Sequence, residues 1–137
     1  MILGIGVDVV HVPRIAALIA RRGPEIFAQR ILSNEELQSW KTIHEGDRSR
    51  FLAVRYMSHF ASRWAVKEAA YKAMYPVVKP TWKDFSFRGL AQEFDGSKPS
   101  LFYRSPYPDT SVGEIHSSIS HDGEYVFASV LVCRRTE

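Results

Sequence analysis

The stretch FASRWAVKEAAYKA, Phe60 to Ala73, is apolar on two sides at once, and that restricts what the chain can fold into more than any other feature. Wound as a helix at about 100° per residue, Phe60, Trp64 and Tyr71 fall in one narrow sector, while Ala61, Ala65, Ala69 and Ala73 recur on another. An aromatic stripe needs a core behind it and an alanine stripe lets a second backbone come close, so the spacing predicts a helix held between two layers. Charges interrupt the pattern. Lys67 falls inside the aromatic sector with Arg63 beside it at i,i+4, a like-charge spacing that costs about 0.2–0.5 kcal/mol, so an anion is expected there. Glu68 and Lys72 form the opposite pair. They are either an ordinary surface ion pair contributing about 0.3–0.5 kcal/mol or, on a helix with so little free surface, charges with partners or a bound ion.

A chain of 137 residues suits one domain, 1–137, with a single core. Hydrophobic content of 45% with only 8 Gly and 7 Pro excludes a disordered or low-complexity chain. The apolar runs fall short of the roughly 18 residues a membrane span needs, so no membrane partner is expected. The chain opens with the strand-like MILGIGVDVV and not with a basic, Ser-rich leader; the expectation is a cytoplasmic protein, or one of the mitochondrial matrix imported without a recognisable leader. Cys133 is the one cysteine, which rules out an internal disulfide, favours a reducing compartment and reads as a small apolar strand residue. The 18 basic against 15 acidic residues give a mild positive bias that favours an acidic partner without demanding nucleic acid.

From Ile2 to Val10 the alternation predicts a strand with Leu3, Ile5, Val7 and Val9 on its core face and Gly4, Gly6 and Asp8 on the other. Glycines inside a strand are usually there because a ligand or another backbone approaches closely; Asp8 either projects over that cleared floor or simply ends the strand. Pro13 opens a helix with Ile15, Leu18 and Ile19 buried, and Gly23-Pro24 ends it. Arg14, Arg21, Arg22 and Arg30 are then left as solubilising charges or as a docking patch suited to an acidic helix. Ser33-Asn34-Glu35-Glu36 is a capping box with a structural role, followed by apolar Leu37 and Trp40. Asp47 can cap the long helix from about Arg48 to Tyr75, and Pro76 and Pro80 forbid its continuation. His44 and His59 have no second metal-type ligand at matching spacing and read as non-functional. Strands follow at Phe85–Phe87, Leu101–Tyr103 and Ile115–His121. Asp122-Gly123 then signals a type I′ turn into a largely buried strand, Tyr125–Val132. His121 is fixed at a strand end, as a support for the turn or as a phosphate contact.

Three separated pieces, GIGVD followed by His11-Val12-Pro13-Arg14, the helix RWAVKEAAYKA and the strand SSISHDGEY, together resemble the 4′-phosphopantetheinyl transferases of the short holo-acyl-carrier-protein synthase type. The resemblance implies an α+β fold in which a long central helix packs on an antiparallel sheet. It implies transfer of the phosphopantetheine arm of coenzyme A to a serine of an acidic apo-acyl-carrier protein, releasing adenosine 3′,5′-bisphosphate. It places Mg²⁺ on Asp8 and Glu68, and two carboxylates with substrate phosphates are a donor set that this ion commonly takes. It assigns catalysis to Asp8, Glu68, Lys72 and His121. Contact with the coenzyme is assigned to Arg63, Lys67, Lys72, Lys98, Pro99, Ser120 and His121, and carrier docking to Arg14 and Arg21. It leaves deprotonation of the serine to either Glu68 or a water on the metal. Short members of the family form homotrimers with the coenzyme between neighbouring subunits. The chain departs from the pattern in having Ala73-Met74-Tyr75-Pro76-Val77-Val78 where the family has a glycine-rich turn, in an extra Ser97 before Lys98, and in a longer segment that adds Tyr56, Met57 and Phe60 near the site.

A different class of function, a non-catalytic basic α+β module that binds RNA or an acidic protein, would suit the mixture of basic and aromatic residues. No strand carries the glycine-flanked aromatic pattern of an RNA-recognition sheet, and such a binder has no need of Asp8 or Glu68.

Overall fold

The computed structural model describes residues 1–46, 50–88, 98–107 and 111–136, with the side chains of all of these except 43–46 and 50–58. Asp47, Gly96 and Ser97 lie outside the described residues, as do the side chains of His44, Tyr56 and Met57. Strand β1 (Ile2–His11) leads into helices α1 (Val12–Arg22), α2 (Pro24–Ile31) and α3 (Asn34–Gly46) and then the long α4 (Arg50–Met74). After a 3-10 turn at Trp82–Asp84 come β2 (Phe85–Arg88), β3 (Ser100–Tyr103), β4 (Val112–Asp122) and β5 (Tyr125–Arg134). The strands form a three-stranded antiparallel sheet ordered β1-β5-β4 and a separate antiparallel ribbon of β2 and β3.

Helix α4 is the middle layer. Its alanine side, Ala61, Ala65, Ala69 and Ala73, is buried against the sheet, where β5 presents Val126, Ala128, Val130 and Val132. The closest approach is to β1. A Cβ on Gly6 would lie 2.8 Å from the Ala73 nitrogen and collide with the Ala69 carbonyl oxygen, and one on Gly4 would collide with the Ala73 carbonyl oxygen. Glycine on the strand and alanine on the helix let two backbones meet directly, so the cleared floor of β1 is filled by α4. On its other side, Phe60 meets Phe27 edge-on at 5.2 Å, and Trp64 stacks on Phe27 at 5.8 Å and meets Trp82 at 5.0 Å. Tyr71, in the same sequence sector, stays partly exposed and pairs instead with Tyr75.

Three local expectations change. The strand faces of β1 are reversed: the Gly4, Gly6, Val10 side meets the core, and Ile5, Val7 and Val9 are exposed, because only glycine admits the helix backbone. Strand β5 alternates and is not largely buried, with Tyr125 and Phe127 on the same outer face. At the β4–β5 turn Asp122 pairs with Tyr125, and Gly123 alone has positive φ, at +55°, the pattern of a type II′ turn and not of I′. Helix α1 ends before Gly23-Pro24 as expected, and a new helix, α2, starts at Pro24, with Gly23 at φ +86° turning the chain between the two.

Candidate active site

Asp8 lies on β1 just beyond the glycines, on the face toward α4. Lys72, in the last turn of α4, donates from Nζ to Asp8 Oδ1 at 3.1 Å and to the Val7 carbonyl at 3.0 Å. The other carboxylate oxygen, Asp8 Oδ2, is buried and has no hydrogen-bond partner. One turn back along α4, Glu68 is half-buried, and its carboxyl is held above the ordinary range first by burial and then by the charge of Asp8, with Lys72 and Arg14 opposing. The half-buried Glu68 carboxyl and Asp8, with its unused buried oxygen, form an oxygen-donor pair that a hard divalent cation fits. Among the described residues no cluster of three or more acidic, histidine or cysteine side chains is present, so a cation there would complete its coordination with oxygens from water or a ligand.

Beside Glu68 a cavity of about 190 Å³ is lined by Lys67, Glu68, Tyr71, Thr81, Trp82 and Phe85, together with Pro80. One turn before Glu68, Arg14 of α1 rests its guanidinium 5.8 Å from the Trp64 ring centroid. Arg21 is exposed in the last turn of α1, roughly 10 Å along the axis from Arg14 at 1.5 Å per residue.

The remaining expected residues are distributed differently. Arg63 and Lys67 are both buried and are held by Glu36 of α3, and Lys67 also contributes to the cavity wall. Lys67 Nζ reaches Glu36 Oε1 at 2.5 Å and also donates to the carbonyls of Ile31 and Trp82 at 2.7 and 3.1 Å, while Arg63 Nε lies 3.0 Å from Glu36 Oε2. The anion that this like-charge pair requires is thus supplied from within, and the ammonium is spent on protein acceptors. Burial pushes the Lys67 ammonium down to about 8 despite the attraction of Glu36. Ser120 and His121 sit on opposite faces of β4: Ser120 is opposite Phe127 on the outer face and His121 opposite Val126 on the α4 face. Asp8 is in register with Ala128 and through it with Ile119, so His121 is two strands across and two residues along, roughly 10 Å sideways and 7 Å lengthwise by strand spacing. Lys98 and Pro99 precede β3 at the end of the ribbon where Ser100 pairs with Arg88, away from the Phe85 end that lines the cavity.

Sequence reasoning did not find the second role of Glu36. Its capping box with Ser33 forms as expected, with Ser33 N to Glu36 Oε1 at 2.9 Å and Glu36 N to Ser33 Oγ at 3.2 Å. The same carboxylate is the buried counter-ion of α4, and the repelling pair Arg63–Lys67 was the signal that pointed to it. The cavity wall at Pro80, Thr81 and Trp82 carried no such signal, since a loop's packing has no period.

The same arrangement of strands and helices occurs in solved proteins. A holo-(acyl-carrier-protein) synthase from Bacillus anthracis, in complex with CoA (3′,5′-ADP), superposes with a TM-score of 0.70 at 28% identity, over 99% of each chain. The holo-[acyl-carrier-protein] synthase of Neisseria meningitidis superposes with a TM-score of 0.74 at 28% identity, over 96% of this chain and 98% of that one. In sequence, the holo-[acyl-carrier-protein] synthase of Escherichia coli O1:K1 is 49% identical over 133 residues, 96% of this chain and 97% of its own length. The profile of the 4′-phosphopantetheinyl transferase superfamily matches residues 4–130. With the fold, the sequence and the Asp8–Glu68–Lys72 constellation in agreement, the chain belongs to the 4′-phosphopantetheinyl transferase superfamily.

Proposed function

We propose that this chain is a holo-acyl-carrier-protein synthase that moves the 4′-phosphopantetheine arm of coenzyme A onto a serine of an apo-acyl-carrier protein. The serine oxygen bonds to the phosphorus that carries the pantetheine arm, the bond from that phosphorus to the bridging oxygen breaks, and adenosine 3′,5′-bisphosphate leaves. The observation that carries the reading is the convergence of Asp8, with its unpartnered Oδ2, on Glu68 and Lys72 from distant parts of the chain. Asp8 and Glu68 would hold magnesium, which when bound neutralises and aligns the diphosphate oxygens. Lys72, already fixed on Asp8 and the Val7 carbonyl, presents a positive charge where phosphate charge develops. Arg14 and Arg21, exposed along α1, steer and dock the acidic carrier, an attraction that weakens with salt. Ser120, His121, Lys98 and Pro99, remote from Asp8 within one chain, complete the site across a boundary between subunits of a homotrimer. The apolar outer face of the β1-β5-β4 sheet supports that assembly.

The test is incubation with coenzyme A, Mg²⁺ and an apo-carrier protein, followed by intact-mass measurement of the carrier. The expected result is a gain of one phosphopantetheine arm that is lost in Asp8→Ala and Glu68→Ala while both variants keep their circular dichroism. An unmodified carrier across several apo-carrier proteins would sink the reading and favour the basic binding module.

A further inference from the structure

Lys67 is 1% exposed, and its ammonium joins four elements at one point. An ammonium carries three N–H donors. Those of Lys67 reach Glu36 Oε1 of α3 at 2.5 Å, the Ile31 carbonyl of α2 at 2.7 Å and the Trp82 carbonyl of the 3-10 turn at 3.1 Å, so none is left for a phosphate. Beside it, Lys83 donates to the Leu32 carbonyl at 2.6 Å. Ile31 is the last residue of α2 and Leu32 its C-cap, where terminal carbonyls lack partners within the helix and carry its partial negative charge. Two ammoniums therefore cap α2, and each also fixes the 3-10 turn, Lys67 through the Trp82 carbonyl and Lys83 by belonging to the turn.

That point holds two parts of the cavity. Glu68 follows Lys67 directly on α4, and Trp82 stands with Pro80, Thr81 and Phe85 in the wall. On its sheet side α4 meets β1 through alanine and glycine, a contact that fixes how near the helix comes; on the other side the ammonium of Lys67 fixes which way the helix faces. We propose that Lys67 is a positioning residue for transfer: it keeps the Glu68 carboxyl and the Trp82 wall at one separation, in place of the coenzyme contact that the family resemblance implies. This rests on the transferase reading and adds to it a residue that acts through Glu68 and Trp82. In-line transfer depends on alignment more than on covalent help, and a displacement of about 1 Å can cost roughly 100-fold. Lys67→Met is the clean removal. Methionine keeps an unbranched side chain, Glu36 keeps Arg63 as its counter-ion, and the Ile31 and Trp82 carbonyls lose their donor.

The test compares Lys67→Met and Lys83→Met with the wild type in turnover on an apo-carrier protein, in calorimetric binding of coenzyme A, and in amide hydrogen exchange of the full chain. Lys67→Met should lower kcat by about 10- to 100-fold while coenzyme A binds as it does to the wild type, and exchange at residues 81–87 should quicken. Lys83→Met frees the turn but leaves Lys67 in place, so it should quicken the same exchange with a fall in kcat under about 10-fold; it also decides the matter if Lys67→Met does not fold. A coenzyme affinity that falls in step with kcat makes Lys67 a direct contact, and folded variants with wild-type kcat confine it to stability. Either outcome, or unchanged exchange in both variants, overturns the proposal, while transfer by the wild type leaves the enzyme reading standing. A wild type that modifies no carrier overturns both.

Discussion

At the scale of the residue, Glu36 decides how α4 carries two cations into the core. Its two oxygens serve the Ser33 amide, the Phe87 amide, the Lys67 ammonium and the Arg63 guanidinium, so removing its charge leaves two buried cations without a counter-ion. Breaking a buried pair from one side costs about 3–5 kcal/mol, and Glu36→Gln should lower the unfolding free energy by that order in urea titration. An unchanged midpoint would mean that the network is not holding α3 to α4. His59 reports on the same neighbourhood. Burial first, and then the charges of Arg63 and Lys67, hold its imidazole down to about 3 from an ordinary value of 6.5, so it is folded in neutral form. A group with a depressed folded value binds its proton more readily in the unfolded chain, so its effect on stability is absent above pH 6.5. It appears as pH falls from 6.5 toward 3, with a slope of up to about 1.4 kcal/mol per pH unit. His59→Phe should flatten that part of the stability profile, and a profile identical to the wild type would reject the role.

At the scale of the element, the pairing of β1 with α4 sets the distance between the two acids, because Asp8 belongs to the strand and Glu68 to the helix. Gly6→Ala puts a methyl group against the Ala69 carbonyl and 2.8 Å from the Ala73 nitrogen, both main-chain atoms that cannot turn aside. The helix must lift or slide, with a loss of about 1–3 kcal/mol typical of overpacking, and transfer should fall further than stability alone explains because Asp8 and Glu68 separate. A folded Gly6→Ala protein with wild-type kcat would contradict this coupling. The alanine stripe made the close approach legible in sequence, and the glycines named the strand that would use it. What alternation could not reveal was which face of β1 is inside, since Leu3, Ile5, Val7 and Val9 satisfy the rule for a core face while the contact that forms is between backbones. Asp8, Glu68 and Lys72 stood out as a site only through the resemblance of the three pieces to the transferase family; their residue types alone left a strand end and a surface ion pair equally open. Glu36 was legible as half of a capping box, its second role only as an unfilled demand, and the Tyr71–Tyr75 stack was not legible, since it depends on how the helix ends.

At the scale of the whole molecule, that reversed face leaves a problem for one chain alone. Ile5, Val7 and Val9 on β1 are 61, 48 and 60% exposed, and Phe127 and Tyr125 on β5 are 44 and 55% exposed beside them. A contiguous apolar sheet face of this kind marks an association surface. Ser120 lies on it opposite Phe127, while Asp8 and Glu68 lie on the other side of the sheet. In the homotrimer proposed above this surface would be buried in a closed ring with a repeated, head-to-tail interface, and β4 of one subunit would complete the site of the next. Val9→Asp should then convert a trimer to a monomer in sedimentation and abolish transfer without unfolding the chain. A sharper measurement mixes two variants, each inactive alone. Glu68→Gln removes the acidic half of a site and His121→Ala the other half, and random assembly of equal amounts regenerates about a quarter of the sites with both halves intact. Co-expressed subunits should therefore recover transfer activity of that order. If Glu68 and His121 instead act within a single chain, no mixture contains an intact site, and the co-expressed protein stays as inactive as its parents.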